Sequence, residues 1–138
     1  MKKIIFVTVL LIPMLAQASN DSRQYVKLPE MMQQHMMANM RNHLESINKI
    51  LLLMSNKKLD EAADVAEKSL GMTSLKSHNA SHMAKFMPKG MQQVGTSMHK
   101  AASRFALTAQ EGDRDAAYKK LNKVTNACVS CHAGYRIR

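Results

Sequence analysis

The sequence predicts an all-α fold, an antiparallel up-down-up-down four-helix bundle. Three observations predict it. Apolar residues recur at spacings of three and four along the chain after residue 19. No stretch alternates with period two for long, so there is no β signal. The breaks near residues 56 and 112 are short, which makes the helices on either side antiparallel neighbours. Composition agrees. A chain of 138 residues that is 46% hydrophobic can bury one core and form one domain. Its 5 Gly and 3 Pro exclude collagen-like and low-complexity architectures, and 2 Cys are too few to staple a miniprotein. Aromatic residues are only 4% against 13 Met, so the core needs another source of bulk.

The first eighteen residues read as an address. Lys2 and Lys3 precede an apolar run from Ile4 to Ile12, broken only by Thr8. Pro13 follows, then Ala16-Gln17-Ala18, a small-x-small cleavage pattern. The run is too short for a lasting membrane anchor, and no second long apolar run exists. A secretory signal over residues 1–18, cleaved after Ala18, is therefore expected, with residues 19–138 as the domain and a periplasmic location. Loss of Lys2 and Lys3 lowers the formal charge from +10 to +8.

Pro29 suits the first turn of a helix running to about Ser55. Its inward stripe is expected to hold Met36, Met40, Ile47, Leu51 and Met54, with Met37 and Leu44 on one edge and His43 and Ile50 on the other. A second helix starts near Lys57 or Lys58 and ends at Leu70, turning inward Leu59, Ala62, Ala63, Ala66 and Leu70, with Gly71 as C-cap. Residues 72–87 read as a connector with room for a short helix. Pro88 starts a third helix, striped by Met91, Val94, Met98, Ala101, Ala102 and Phe105 and broken at Glu111-Gly112. Asp113 caps the fourth, which aligns Ala117, Leu121, Val124 and Cys128.

Near the end of that helix stands Cys128-Val129-Ser130-Cys131-His132, the C-x-x-C-H pattern of covalent haem attachment. Residues three apart on a helix lie on one face about one turn apart. Two thiols so placed can add across the two vinyl groups at one edge of a haem. His132 can then offer an imidazole nitrogen to the iron. No βαβ pattern surrounds the pair as in a dithiol redox protein, structural zinc would need a second pair of ligands, and a plain disulfide would be compatible with the periplasm. One haem c per chain is expected, and it would supply the bulk that the aromatics do not.

With helices throughout, attachment near the C-terminus and the run Cys128-x-x-Cys131-His132-x-x-Tyr135-Arg136, the chain resembles a class II cytochrome c, the cytochrome c-prime group. The resemblance in layout spans the mature chain, and its specific motif spans about ten residues. It implies a left-handed bundle with haem between helices and His132 as proximal ligand. It also implies Arg136 as the basic residue near the haem; the plainer reading of Arg136 is a solvated terminal charge. Homodimers through the first two helices are a further implication.

The family divides at the sixth iron position, open in some members and filled by a first-helix Met in others. Met31, Met32, Met36, Met37 and Met40 all lie on the first helix. Met40, nearer the middle of the stripe, leads as distal ligand and Met36 follows. His43 is a bis-His alternative, and core packing is the ordinary role of any single Met. In the connector His78, His82, Met83 and Met87, with Met72 and Met91 at its ends, form a copper-compatible cluster if a helical turn puts His78 and His82 on one face; a Met-packed connector with surface histidines is the commoner outcome. His35 and His99 have no spacing partner. Positive charge, including Lys119, Lys120, Lys123 and Arg138, suits an acidic redox partner rather than nucleic acid, given the compartment. Three readings stay open: an electron carrier, a five-coordinate haem protein binding nitric oxide or carbon monoxide, and a copper-binding protein. No acid–base carboxylate pair or partnered nucleophile argues for an enzyme.

Overall fold

A computed structural model describes residues 21–138. The expected signal segment and its cleavage site at Ala18 lie outside the described residues. The described chain is predominantly helical, with α1 over Glu30–Ser55, α2 over Leu59–Ser69, α3 over Ala80–Ala84, α4 over Lys89–Gln110 and α5 over Arg114–Gly134. A 3-10 turn at Met72–Leu75 precedes α3. α1 packs on α2, α2 on α4, and α4 on α5. None of the helices among the described residues is long and apolar enough to cross a membrane.

The boundaries follow local chemistry. Pro29 and Pro88 sit at the N-cap positions of α1 and α4, one residue earlier than the first-turn reading. Asp113 caps α5 by accepting a hydrogen bond from the Ala116 amide at 2.9 Å. Gly112, at φ +82°, makes the left-handed turn between α4 and α5. Gly71 has another role than the expected C-cap. Its backbone is not left-handed (φ −73°), and the Glu67 carboxylate fills the space a Cβ would need. That carboxylate accepts the Thr73 amide at 3.2 Å.

Two expectations need correction. The first concerns the inward face of α1. Met32, Met36, His43, Ser46, Ile50 and Met54 are its buried residues, whereas Leu44 is 72% and Leu51 44% exposed. The buried line is therefore turned toward the edge that holds His43 and Ile50. Ser46 enters it by donating its hydroxyl to the Asn42 carbonyl at 2.7 Å, which removes an unsatisfied group. The second concerns strands. β1 (Gln24–Tyr25) pairs in parallel with β2 (Tyr135–Arg136), and the Val26 amide extends the ladder to the Arg136 carbonyl at 2.8 Å. This strap ties the segment before α1 to the chain just after α5.

The core has two parts. The larger joins Ile50 and Met54 of α1, the alanines Ala62, Ala63 and Ala66 of α2, Met98, Ala102 and Phe105 of α4, and Leu121 and Val124 of α5. The smaller joins Val26, Leu28, Met32, Met36, Met83 and Met91. Cys128 packs against the first and Cys131 against the second. The two cysteines therefore stand where the two clusters meet.

Candidate functional site

Cys128, Cys131 and His132 occupy the last two turns of α5. Both cysteines are half-buried free thiols, and burial pushes their pKa values above the usual thiol range. They are therefore protonated at neutral pH. A catalytic dithiol requires the opposite, a thiolate stabilised by its surroundings. The strap holds this end of α5 in place. Arg23 donates to the His132 carbonyl at 3.3 Å, and the Gln33 side-chain amide donates to the Ile137 carbonyl. Tyr135 reaches α4 because position 90 is glycine; a Cβ there would collide with the tyrosine hydroxyl.

Cys131 and His132 line a cavity of about 420 Å³. Met36, Met37, Met40 and His43 of α1 line it too, as do Met83 and Met87 of the connector and Met91 and Met98 of α4. Both candidate distal methionines thus share one cavity with Cys131 and His132. Met36 is buried and Met40 half-buried. Met32 does not line the cavity but is buried in the same cluster as Met36, against which Cys131 packs. A cavity of this size, largely apolar with a few polar groups, is typical of small-molecule and cofactor sites.

Arg23, Arg136 and Arg138 also line the cavity, and among the described residues no Asp or Glu does. Arg136 is half-buried, with its guanidinium 5.1 Å from the Tyr25 ring centre. Its Nε is ion-paired with an Asp21 carboxylate oxygen at 3.5 Å, but that buried N–H has no hydrogen-bond partner among the described residues. Asp21 is gripped instead by Arg23, at 2.7 and 2.9 Å, whose hydrogen bonds hold its carboxyl down to about 2. Three arginines in a lining without Asp or Glu, one of them with a guanidinium N–H that makes no hydrogen bond, suit an anionic group entering the cavity. Arg23 was not singled out by the sequence, because nothing in its spacing links it to residues more than a hundred positions away.

The connector differs from expectation. Asn79, in the left-handed region at φ 52°, separates His78 from α3, so His78 and His82 do not share a helical face. His82 is exposed, with its ring 5.9 Å from that of Phe86. His78 instead turns inward to His43 and His99, with ring centres 4.8 Å and 5.4 Å away. The His78 carbonyl accepts from His35 Nε2 at 3.0 Å and from Asn39 at 3.3 Å, which fixes that turn onto α1. His99, which had no spacing partner, is thus part of a three-imidazole cluster lining the cavity.

Burial pushes the His43 pKa down to about 4, and the neighbouring His78 and His99 add to the effect. His78 and His99 are lowered too, chiefly by burial. The folded protein therefore holds His43 neutral, whereas the unfolded chain takes up a proton there below about 6.5. Stability is full above pH 6.5 and falls as pH drops toward 4, by on the order of 3 kcal/mol for His43 alone. Urea midpoints measured at pH 7.5 and 4.5 should show this loss, and His43→Gln should flatten it. A midpoint as high at pH 4.5 as at pH 7.5 would contradict the assignment.

Among the described residues, no three His, Cys, Asp or Glu side chains already converge on a point that could hold a metal ion. In comparisons with known proteins, no protein family, no curated protein and no solved structure matches this chain.

Proposed function

We propose that the chain is a periplasmic monohaem c-type cytochrome that carries single electrons and catalyses no reaction of its own. Its architecture on this reading is a four-helix bundle of the class II type, formed by α1, α2, α4 and α5 around the cofactor. The observation that carries the reading is that C-x-x-C-H ends the last long helix and that Cys131 and His132 line a cavity shared with Met36 and Met40. When bound, haem c supplies a one-electron Fe(III)/Fe(II) couple. Cys128 and Cys131 would hold it through thioethers, and His132 would give the proximal nitrogen. Met40, or else Met36, would give a thioether to the same iron, which favours the ferrous state. Arg136 and Arg23 would receive the negative edge of the group. The apolar methionine walls exclude water and so limit the polar reorganisation that accompanies a change in iron charge.

Lys119, Lys120 and Lys123 are exposed on α5, the helix that carries the attachment motif. They suit steering of an acidic redox protein to that helix. Leu44, Leu51 and Leu52 leave an apolar stripe on α1 that suits pairing with a second copy.

Optical spectra of the secreted protein test the reading. The oxidised form should be low-spin and six-coordinate. Met40→Ala should convert it wholly to a high-spin form that binds nitric oxide at once; if Met40→Ala is silent, Met36→Ala should do so. A wild-type protein that is already high-spin and binds nitric oxide overturns electron transfer in favour of gas binding. Silence of both variants removes the methionine ligand.

A further inference from the structure

We propose that His43, His78 and His99 form a copper site, binding Cu(I), in the cavity that Cys131 and His132 also line. Three separate elements supply the rings: α1, the connector and α4. Their centres are 4.8, 5.4 and 5.9 Å apart. Three imidazoles on one tetrahedral metal, with metal–nitrogen bonds of about 2.0–2.1 Å, would have ring centres about 5 Å apart. The rings already stand at nearly that separation. They are tilted by 57°, 43° and 84° to one another and do not yet aim at one point. Bringing them to one point takes rotation about χ2, a soft torsion in histidine.

Hydrogen bonding fixes which nitrogens are available. The Ser74 hydroxyl donates its one proton to the Gly71 carbonyl at 2.7 Å. Its 3.3 Å contact with His78 Nδ1 must then be donated by the imidazole. His99 Nδ1 faces the Leu70 carbonyl at 2.7 Å and must also donate. Both rings therefore carry the proton on Nδ1 and present a bare Nε2. This is how metal-binding histidines are commonly held, with the second ring nitrogen donating to a carbonyl or similar acceptor. His43 completes the set. It is only 8% exposed, and its buried Nε2 has no hydrogen-bond partner at all. An unsatisfied buried ring nitrogen costs stability unless something occupies the space beside it.

The surroundings select the metal. Among the described residues no Asp or Glu lines the cavity, so hard cations such as calcium or magnesium find few suitable ligands. Thioethers of Met83 and Met98 line the same cavity, and imidazole with thioether favours Cu(I). The three rings share one cavity with Cys131 and His132 but stand further along α1 and α4 than the methionines packed near Cys131. His43 lies seven residues beyond Met36 on α1, about 10 Å along the axis, and His99 eight beyond Met91 on α4, about 12 Å. Met36 and Met91 belong to the cluster against which Cys131 packs.

The test is an anaerobic titration of the secreted full chain with Cu(I) against a chromophoric Cu(I) chelator. Its readout is copper stoichiometry and affinity, so it stands or falls separately from haem attachment. One equivalent is expected to be held in competition. His43→Gln and His78→Gln should each weaken it at least ~100-fold, and His82→Gln should leave it unchanged. His78 is only half-buried, so its variant keeps the test valid if the His43 variant does not fold. No retained copper, or wild-type affinity in His78→Gln, overturns the site. Tighter retention of Zn(II) than of Cu(I) overturns the copper assignment.

Discussion

Changing Cys128 and Cys131 together to alanine is expected to give a secreted chain with no covalently attached haem, against one per chain in the wild type. The effect is all or none because the two sulfurs are the only cysteines in the sequence. Each single variant should keep one thioether and a weaker, partly extractable cofactor. Loss of fold does not explain the outcome in advance. Both thiols are half-buried, and trimming each to a methyl costs on the order of 1 kcal/mol in lost apolar contact. His132→Ala separates attachment from ligation, since it keeps both sulfurs and removes only the proximal nitrogen. It should retain the added mass and lose the low-spin spectrum. The checks are the mass of the denatured protein and acid extraction of the pigment, using cells with working haem-attachment machinery. A wild-type chain at the mass of the bare polypeptide would end the cytochrome reading. The copper titration would still stand, because its ligands are three imidazoles.

Much of this arrangement was legible in the sequence where the physics is local. Pro29, Pro88, Gly112 and Asp113 mark helix ends through backbone geometry and capping, and the structure begins or ends helices at or within a residue or two of each. The C-x-x-C-H spacing is likewise local, since one helical turn sets which residues share a face. The inward face of α1 lies off the stripe that hydrophobicity alone predicts. The helix serves two apolar clusters, and between them its buried line passes through His43, whose ring packs against that of His78, and Ser46, whose hydroxyl is satisfied by the local backbone. The histidine cluster was unreadable for the same reason. His43, His78 and His99 are separated by whole elements, while the tempting pair His78 and His82 is split by the left-handed turn at Asn79. The strap is two residues long on each side, too short to leave an alternating pattern.

The second large effect belongs to the core that holds α4 and α5 together. Phe105→Ala should destabilise the protein by about 3–5 kcal/mol, a large part of the 5–15 kcal/mol typical of a domain. Phe105 is 0% exposed and shares its cluster with Ala62, Ala63, Ala66, Ala102, Ala106, Ala109 and Ala117. Small residues let helix backbones approach closely, but they have no side chain that can swing into a vacated space. The void left by the ring should therefore persist, and the cost should lie toward the upper end of the range. Leu107, two residues on and 63% exposed, is the matched control, and Leu107→Ala should stay within about 0.5 kcal/mol. Urea unfolding with an unchanged slope reads both. A loss under 1 kcal/mol in Phe105→Ala would mean that the alanine-rich core can collapse around the gap. The close packing of α4 on α5 would then not be what fixes the cysteine-bearing turns.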